Sequence, residues 1–357
     1  MTRFENASLS LFADEVQGGA PVPVLKSRNL HDPVGMWYAA RARSGIDDRM
    51  WFGLYEGGAR APRWHTCSHR YADGLGALPL LLTERGYRAA PPPRARPEGM
   101  PHWRKLWRLW RDAAPAPRLD MRWHFADASL AKCPGHAPVS LLLSAAQTAE
   151  VDRAAAVAGV SPTVWLQWTA DRALRLTLAG QDSVAGWVFP VNLRGNVHAP
   201  DAHANQCSGL TLRLGADATP ATVRQQISAG FVQQEHWRTW LLLNIGRWVG
   251  QAGINLLYRL SQARPGTFAG SYSNLGEWNV AGLDGVIGIA PGSPAYPVSV
   301  GTVLCNGRRS LGCRLHPVVG GNAGRAIEYL LHWRELSMRV GAEAAAAATP
   351  PRRAVPA

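Results

Sequence analysis

The chain has 357 residues, of which 46% are hydrophobic and 18% charged. That balance excludes a disordered polar chain and leaves room for two domains, or for one large fold with two lobes. The net charge of +13 rests almost wholly on arginine, since lysine occurs only as Lys26, Lys105 and Lys132. An Ala-, Gly-, Arg- and Pro-rich composition accounts for the bias, and no RNA- or DNA-binding pattern accompanies it, so nucleic acid is not an expected partner.

Five cysteines, Cys67, Cys133, Cys207, Cys305 and Cys313, are scattered without a C-x-x-C pair and read as reduced thiols. The N-terminal stretch lacks the basic start and apolar run of a signal peptide, and no run of eighteen uncharged apolar residues occurs, so a cytoplasmic location is expected.

Residues 1–60 read as short strands and loops, broken by GGAPVPV and EGGARAP. Arg63 to His69 reads as extended, with Gly74 and Gly76 permitting a sharp turn before a helix through ALPLLLTERGY. The proline- and arginine-rich residues 88–101 predict a mobile surface loop. Over residues 102–111, Trp103, Leu106, Trp107 and Trp110 fall at helical spacing with basic residues largely opposite, which predicts a basic amphipathic helix. Such a helix either packs onto the protein's own core or lies peripherally on the inner face of a membrane.

VSLLLS from residue 139 predicts a strand, and Ser144 with Gln147 forms a capping box that opens a helix ending at Gly159. Ser161-Pro162 caps the next helix. Residues 183–194 and 205–214 are predicted strands joined by a polar loop holding His198, Asp201 and His203. One or two helices between Ala221 and Leu260, short strands over 267–316 and a last helix from AIEYLL complete the chain. The order has no regular β-α alternation, so an α+β fold is expected.

The sharpest chemical feature is His69-Arg70-Tyr71-Ala72-Asp73-Gly74, an H-x-x-x-D-G at the end of a predicted strand. It resembles the active-site motif of the chloramphenicol acetyltransferase-like superfamily, which includes CoA-dependent acyltransferases, wax ester synthases and condensation domains. Residues 143–174, 189–214 and 270–278 resemble further segments of that superfamily, in the same order. The resemblance covers most of residues 60–340.

The resemblance implies two chloramphenicol acetyltransferase-like lobes, 1–137 and 138–345, around a central channel, with 346–357 as a tail. Relatives reach the motif after a longer segment, so a shortened N-terminal lobe is expected. Many also have a second histidine where Ser68 stands here. The implied activity is transfer of an acyl group from a thioester, on acyl-CoA or an acyl carrier protein, to a hydroxyl or amine of a small-molecule or lipid-like acceptor. No bound cofactor is expected, and the basic surface suits the donor's phosphates or an acidic carrier.

His69 is the implied general base, because an imidazole titrates near working pH and can both take and return a proton. Asp73 and Gly74 shape the motif, and Arg194 is the candidate ion-pair partner of Asp73. Ser271, Ser273 and Asn274 are candidates for holding the oxyanion, with turn formation the alternative for Ser273 and Asn274. By strand alternation His65 and Cys67 share the face of His69 and are channel candidates. Zinc on His65, Cys67 and His69, or a metal on His198, Asp201 and His203, lacks a recognisable ligand spacing, and no metal is expected. Two rival functions are a condensation-type domain that forms amides from carrier-bound groups and a non-catalytic binding protein on the same fold.

Overall fold

The computed structural model describes residues 13–14, 33–112, 119–199, 201–261 and 266–339. It is a mixed α+β structure with two sheets and flanking helices. The expected tail, 346–357, lies outside the described residues, as does the alanine-rich end assigned to the last helix.

The first sheet joins β1 (Ala13–Asp14), β3 (Arg63–Ser68), β2 (Arg49–Tyr55) and β8 (Gly285–Ile289) in that order, all antiparallel. The second has the order β4 (Val139–Leu142), β10 (Arg308–Leu315), β9 (Val298–Cys305), β7 (Gly270–Trp278), β5 (Ala185–Asn192) and β6 (Cys207–Leu214). Its outer pairs are antiparallel, whereas β9, β7 and β5 run parallel. Strand β8 comes from the C-terminal half yet completes the first sheet, so a boundary at residues 137/138 does not separate the sheets. The sheets approach closely: a Cβ on Gly301 of β9 would fall 2.0 Å from the Gly288 carbonyl oxygen of β8.

The helices follow local signals. α1 (Pro33–Arg43) has proline at its first position and alanine and arginine along its length, good helix chemistry inside a region read as strands and loops. α2 (Gly74–Glu84) opens on Asp73, whose side chain accepts from the Gly76 amide. α3 (Trp103–Arg111) lies where the amphipathic pattern places it. α4 (Ala145–Val157) carries the Ser144–Gln147 capping box, and Gly159 beyond it has a left-handed φ of 67°. α5 (Pro162–Thr177) is capped by Ser161. Residues 220–261 hold more helix than the one or two expected: α6 (Pro220–Val232), α7 (Glu235–Leu243) and α8 (Gly246–Ser261), the last broken at Gly250, where φ is 62° and ψ −177°; α9 (Ala323–Met338) follows the last strand.

The larger core lies where α4, α5 and α9 cover the second sheet, around Trp165, Trp187, Tyr272, Tyr329 and Trp333. Asp171 is fully buried there, but Arg172 and Arg175 donate to it at 2.6 and 2.8 Å and the Trp187 indole at 3.0 Å, so its charge is compensated. A second core packs Phe52, Leu54, Leu78, Leu81 and Ile287 between the first sheet and α2. The second core includes Cys67 and Ala72 on either side of His69, and a third, around Val191, Leu193 and Trp237, holds the segment that carries Arg194.

The proline-rich segment is irregular, as its composition dictates, but it is fastened rather than loose. Asn192 donates to the Pro93 carbonyl (2.8 Å), the Ala95 amide to the Arg194 carbonyl (2.9 Å), Asn196 to the Arg96 carbonyl (2.9 Å) and the Glu98 amide to Asn196 (3.0 Å). Proline fixes the strap's conformation at little entropic cost, and these bonds lay it along residues 192–196.

Candidate active site

Strand β3 ends at Ser68, and the chain turns there because side chains and amides close the bend. The Ser68 hydroxyl donates to Asp48 (2.5 Å) and accepts the Arg70 amide (3.2 Å), while the His69 amide donates to the Asp48 carbonyl (2.9 Å). Ser68 therefore anchors the turn that presents His69.

His69 is half-buried at the strand end. The Tyr38 ring of α1 stacks on it, with centroids 4.4 Å apart and planes within 15°. Its carbonyl accepts from Asn205 at 2.7 Å. His69 Nδ1 is enclosed and has no partner on another residue. Burial pushes the His69 pKa below its ordinary 6.5; Asp73, a hydrogen bond to the residue's own backbone and Asp48 oppose that, and Arg41 adds to it. The same burial raises the Tyr38 phenol far above its ordinary value, so this neighbour is neutral.

Asp73 does not orient the imidazole. One carboxylate oxygen accepts from Arg194 Nη2 (2.5 Å) and the Gly76 amide (3.0 Å), and the other from the Gln206 amide (2.9 Å). Arg194 also donates to the carbonyls of Ala202 and Ala204, both at 3.1 Å, and to the Asn192 side chain at 3.3 Å. Both side chains of the pair are only 4% exposed. With its charge and hydrogen bonds so matched, the pair locks the start of α2 to the β5–β6 connection.

Neither Gly74 nor Gly76 needs a left-handed backbone; both serve close packing. A Cβ at Gly74 would press on the Leu275 side chain, 2.8 Å away, whereas one at Gly76 would fall 2.0 Å from the His203 carbonyl oxygen and 2.8 Å from Arg194 Nη2. Backbone cannot yield as a flexible side chain does. Gly76→Ala is therefore expected to cost about 1–3 kcal/mol in urea unfolding. An unchanged midpoint and slope would contradict the tightness of this junction.

The remaining candidates separate by face. On β7, Tyr272 lies in the core beneath the helices, and Asn274 donates to Thr163 of α5 at 2.7 Å while accepting the Gly276 amide at 2.9 Å beside a strand bulge. Asn274 thus belongs to the helix-covered face and organises a turn. Alternation puts Ser271 and Ser273 on the opposite face with Leu275, which packs beside Gly74. Cys67 is a core side chain rather than part of a channel wall, and burial pushes its thiol up to about 12. His65 is wholly buried at its β3 position opposite Phe52.

Among the described residues no three metal-ligating side chains gather. His203 Nδ1 lies 3.1 Å from the Gly76 carbonyl, and Asp201 accepts the amides of His203 and Ala204 at 2.7 and 2.9 Å, so this loop braces the motif. Tyr38, Asn205 and Gln206 escaped the sequence reading. A polar Asn-Gln pair at the head of an apolar strand was a usable signal; nothing local marked Tyr38.

Fold and site together define a mixed α+β protein in which an H-x-x-x-D-G histidine sits at a strand end, with its aspartate paired to arginine. No family model matches the sequence, and no curated protein matches it. Among solved structures, it is similar to the wax ester synthase/diacylglycerol acyltransferase from Marinobacter aquaeolei VT8, with 14% identity over 92% of this chain and 84% of that one and a TM-score of 0.45. It is also similar to a trichothecene 15-O-acetyltransferase from Fusarium sporotrichioides (13% identity, 82% and 71% covered, TM-score 0.44). A third is the condensation enzyme VibH (13% identity, 78% and 68% covered, TM-score 0.44).

Proposed function

We propose that the chain is an acyltransferase that moves an acyl group from a thioester, acyl-CoA or an acyl carrier protein, to a hydroxyl or amine acceptor. The observation that carries this reading is the state of His69: a half-buried imidazole whose pKa is lowered and whose motif aspartate is committed to Arg194. With the proton on the enclosed Nδ1, Nε2 is the basic nitrogen. A neutral base is what deprotonating an alcohol or amine requires.

In the proposed reaction the acceptor oxygen or nitrogen bonds to the thioester carbonyl carbon as His69 Nε2 takes its proton. The carbonyl electron pair moves to oxygen, where a Ser271 or Ser273 hydroxyl donates to it. Collapse of this intermediate breaks the carbon–sulfur bond, and the thiolate leaves with the proton held by His69. Transfer is direct, and no side chain is acylated. Donor and acceptor meet in a channel between the sheets.

The test is thiol release from a panel of acyl-CoAs and carrier-bound acyl groups, with and without alcohol and amine acceptors. Acceptor-dependent release supports the proposal. A strict need for carrier-bound partners and an amide product would identify a condensation-type enzyme instead. Silence over a broad panel would favour a non-catalytic binding protein.

The pH profile follows from the same geometry. A lowered pKa keeps the base neutral to below pH 6.5, so kcat/KM should hold down to that pH and fall only as pH drops through the lowered value. An acid limb centred above 6.5 would sink the assignment of this half-buried imidazole as the base.

A further inference from the structure

We propose that the outer faces of α3 and α8 form a docking surface for an anionic phospholipid bilayer. This goes beyond the acyl-transfer reading and does not depend on it. Leu106 alone among the large apolar residues of α3 is fully buried, in a cluster with Trp237 and Trp240 of α7. Trp103, Trp107 and Trp110 stand 61, 54 and 64% exposed. Beyond a break at Gly250, α8 repeats the arrangement: Ile254 and Tyr258 pack beside Ala40 of α1, while Leu256 and Leu260 are turned outward at 60 and 63% exposure; Trp248, before the break, is 69% exposed. Contacts of α3 with α7, and of α1 with both α7 and α8, make the four helices neighbours, and the Trp37 indole donates to the Leu243 carbonyl at 3.0 Å. Three exposed tryptophans on the single helix α3 already exceed the scattered exposure of ordinary surfaces, and α8 adds a second apolar face that reaches α3 through α7 and α1.

Charge selects the occupant. α3 carries Arg104, Lys105, Arg108 and Arg111, and α8 carries Arg247 and Arg259, with no acidic residue in either helix. Asp112, just past α3, pairs with Arg111 at 2.7 Å and leaves the other three cations of that helix. A second copy meeting this face symmetrically would set arginine against arginine. A bilayer answers both demands, since indole rings settle at the headgroup level and anionic headgroups attract arginine and lysine. No described helix is long and apolar enough to cross a membrane, so α3 and α8 would lie in its surface. α3 follows directly on the strap fastened to residues 192–196, which places the docked face next in the chain to the segment carrying Arg194.

Co-sedimentation with phosphatidylcholine and with phosphatidylcholine–phosphatidylglycerol vesicles tests this. Wild type is expected to bind the anionic vesicles, less so as salt rises. The combined Trp103→Ala, Trp107→Ala and Trp110→Ala variant should lose most of that binding, and each of Arg104→Gln and Arg108→Gln should weaken it about fivefold. Trp248→Ala with Leu256→Ala should lower it as well. All these side chains point outward, so unfolding curves should not move. No binding to anionic vesicles at low salt would overturn the proposal, as would binding that the tryptophan variant retains. Self-association abolished by that variant, or capture of an acidic carrier protein without vesicle binding, would assign the face to those partners instead. Vesicle binding and thiol release are separate readouts, so either proposal can fail alone.

Discussion

Replacing His69 by alanine is expected to lower acceptor-dependent thiol release by about 10²–10⁴-fold, the contribution of a positioned general base. The loss should appear in kcat/KM with little change in unfolding. The imidazole is half-buried and its ring contact is the stack with Tyr38, worth about 0.5–1.5 kcal/mol. The backbone bonds at this position, from Asn205 to the His69 carbonyl and from the His69 amide to Asp48, survive truncation of the side chain. The matched measurement is thiol release and urea unfolding on the same preparations. A variant that stays folded and retains more than a tenth of wild-type release would remove His69 from the mechanism.

Asp73→Ala should damage the protein by another route. It removes the acceptor for the Gly76 and Gln206 amides, uncaps α2 and leaves Arg194 buried without its counter-charge. Breaking such a pair costs about 3–5 kcal/mol, a large part of the roughly 5–15 kcal/mol that holds a domain folded. Arg194 keeps its bonds to the Ala202 and Ala204 carbonyls, which places the expectation nearer the lower end of that range. Pairing Asp73→Ala with Arg194→Met removes the stranded charge, so the double variant should be more stable than additivity of the two single variants predicts. Strict additivity in urea unfolding, or a cost below about 1 kcal/mol for Asp73→Ala, would show that the pair does not lock the motif.

Much of the site is local and was readable for that reason. H-x-x-x-D-G sits in one turn, and an aspartate three residues before a free amide caps a helix wherever the chain goes. The caps of α4 and α5 are equally self-contained, as are the alternating strands around them. Glycine was recognised as necessary at 74 and 76, but its reason was misassigned. A turn is a local requirement, whereas close approach to Leu275 and to the His203 carbonyl depends on segments far along the chain.

The same division separates α1 from α3. Nothing near Tyr38 says that its ring will stack on a histidine 31 positions later, because that contact exists only once α1 has packed beside the β3 end. In α3 the periodicity of tryptophan and arginine was plain, yet periodicity gives the direction of an apolar face and not whether a neighbour covers it.

By itself, then, the sequence determined the elements with internal hydrogen-bond and capping logic, the strand-end position of His69 and the polar character of the 192–206 connection. The tertiary structure alone decided that Asp73 and Arg194, 121 residues apart, lie 2.5 Å from one another, that β8 completes the first sheet and that Trp103, Trp107 and Trp110 face outward. The physical reason is range: capping and alternation are satisfied within a few residues, whereas a buried ion pair, a sheet edge and an exposed face depend on the path of the whole chain.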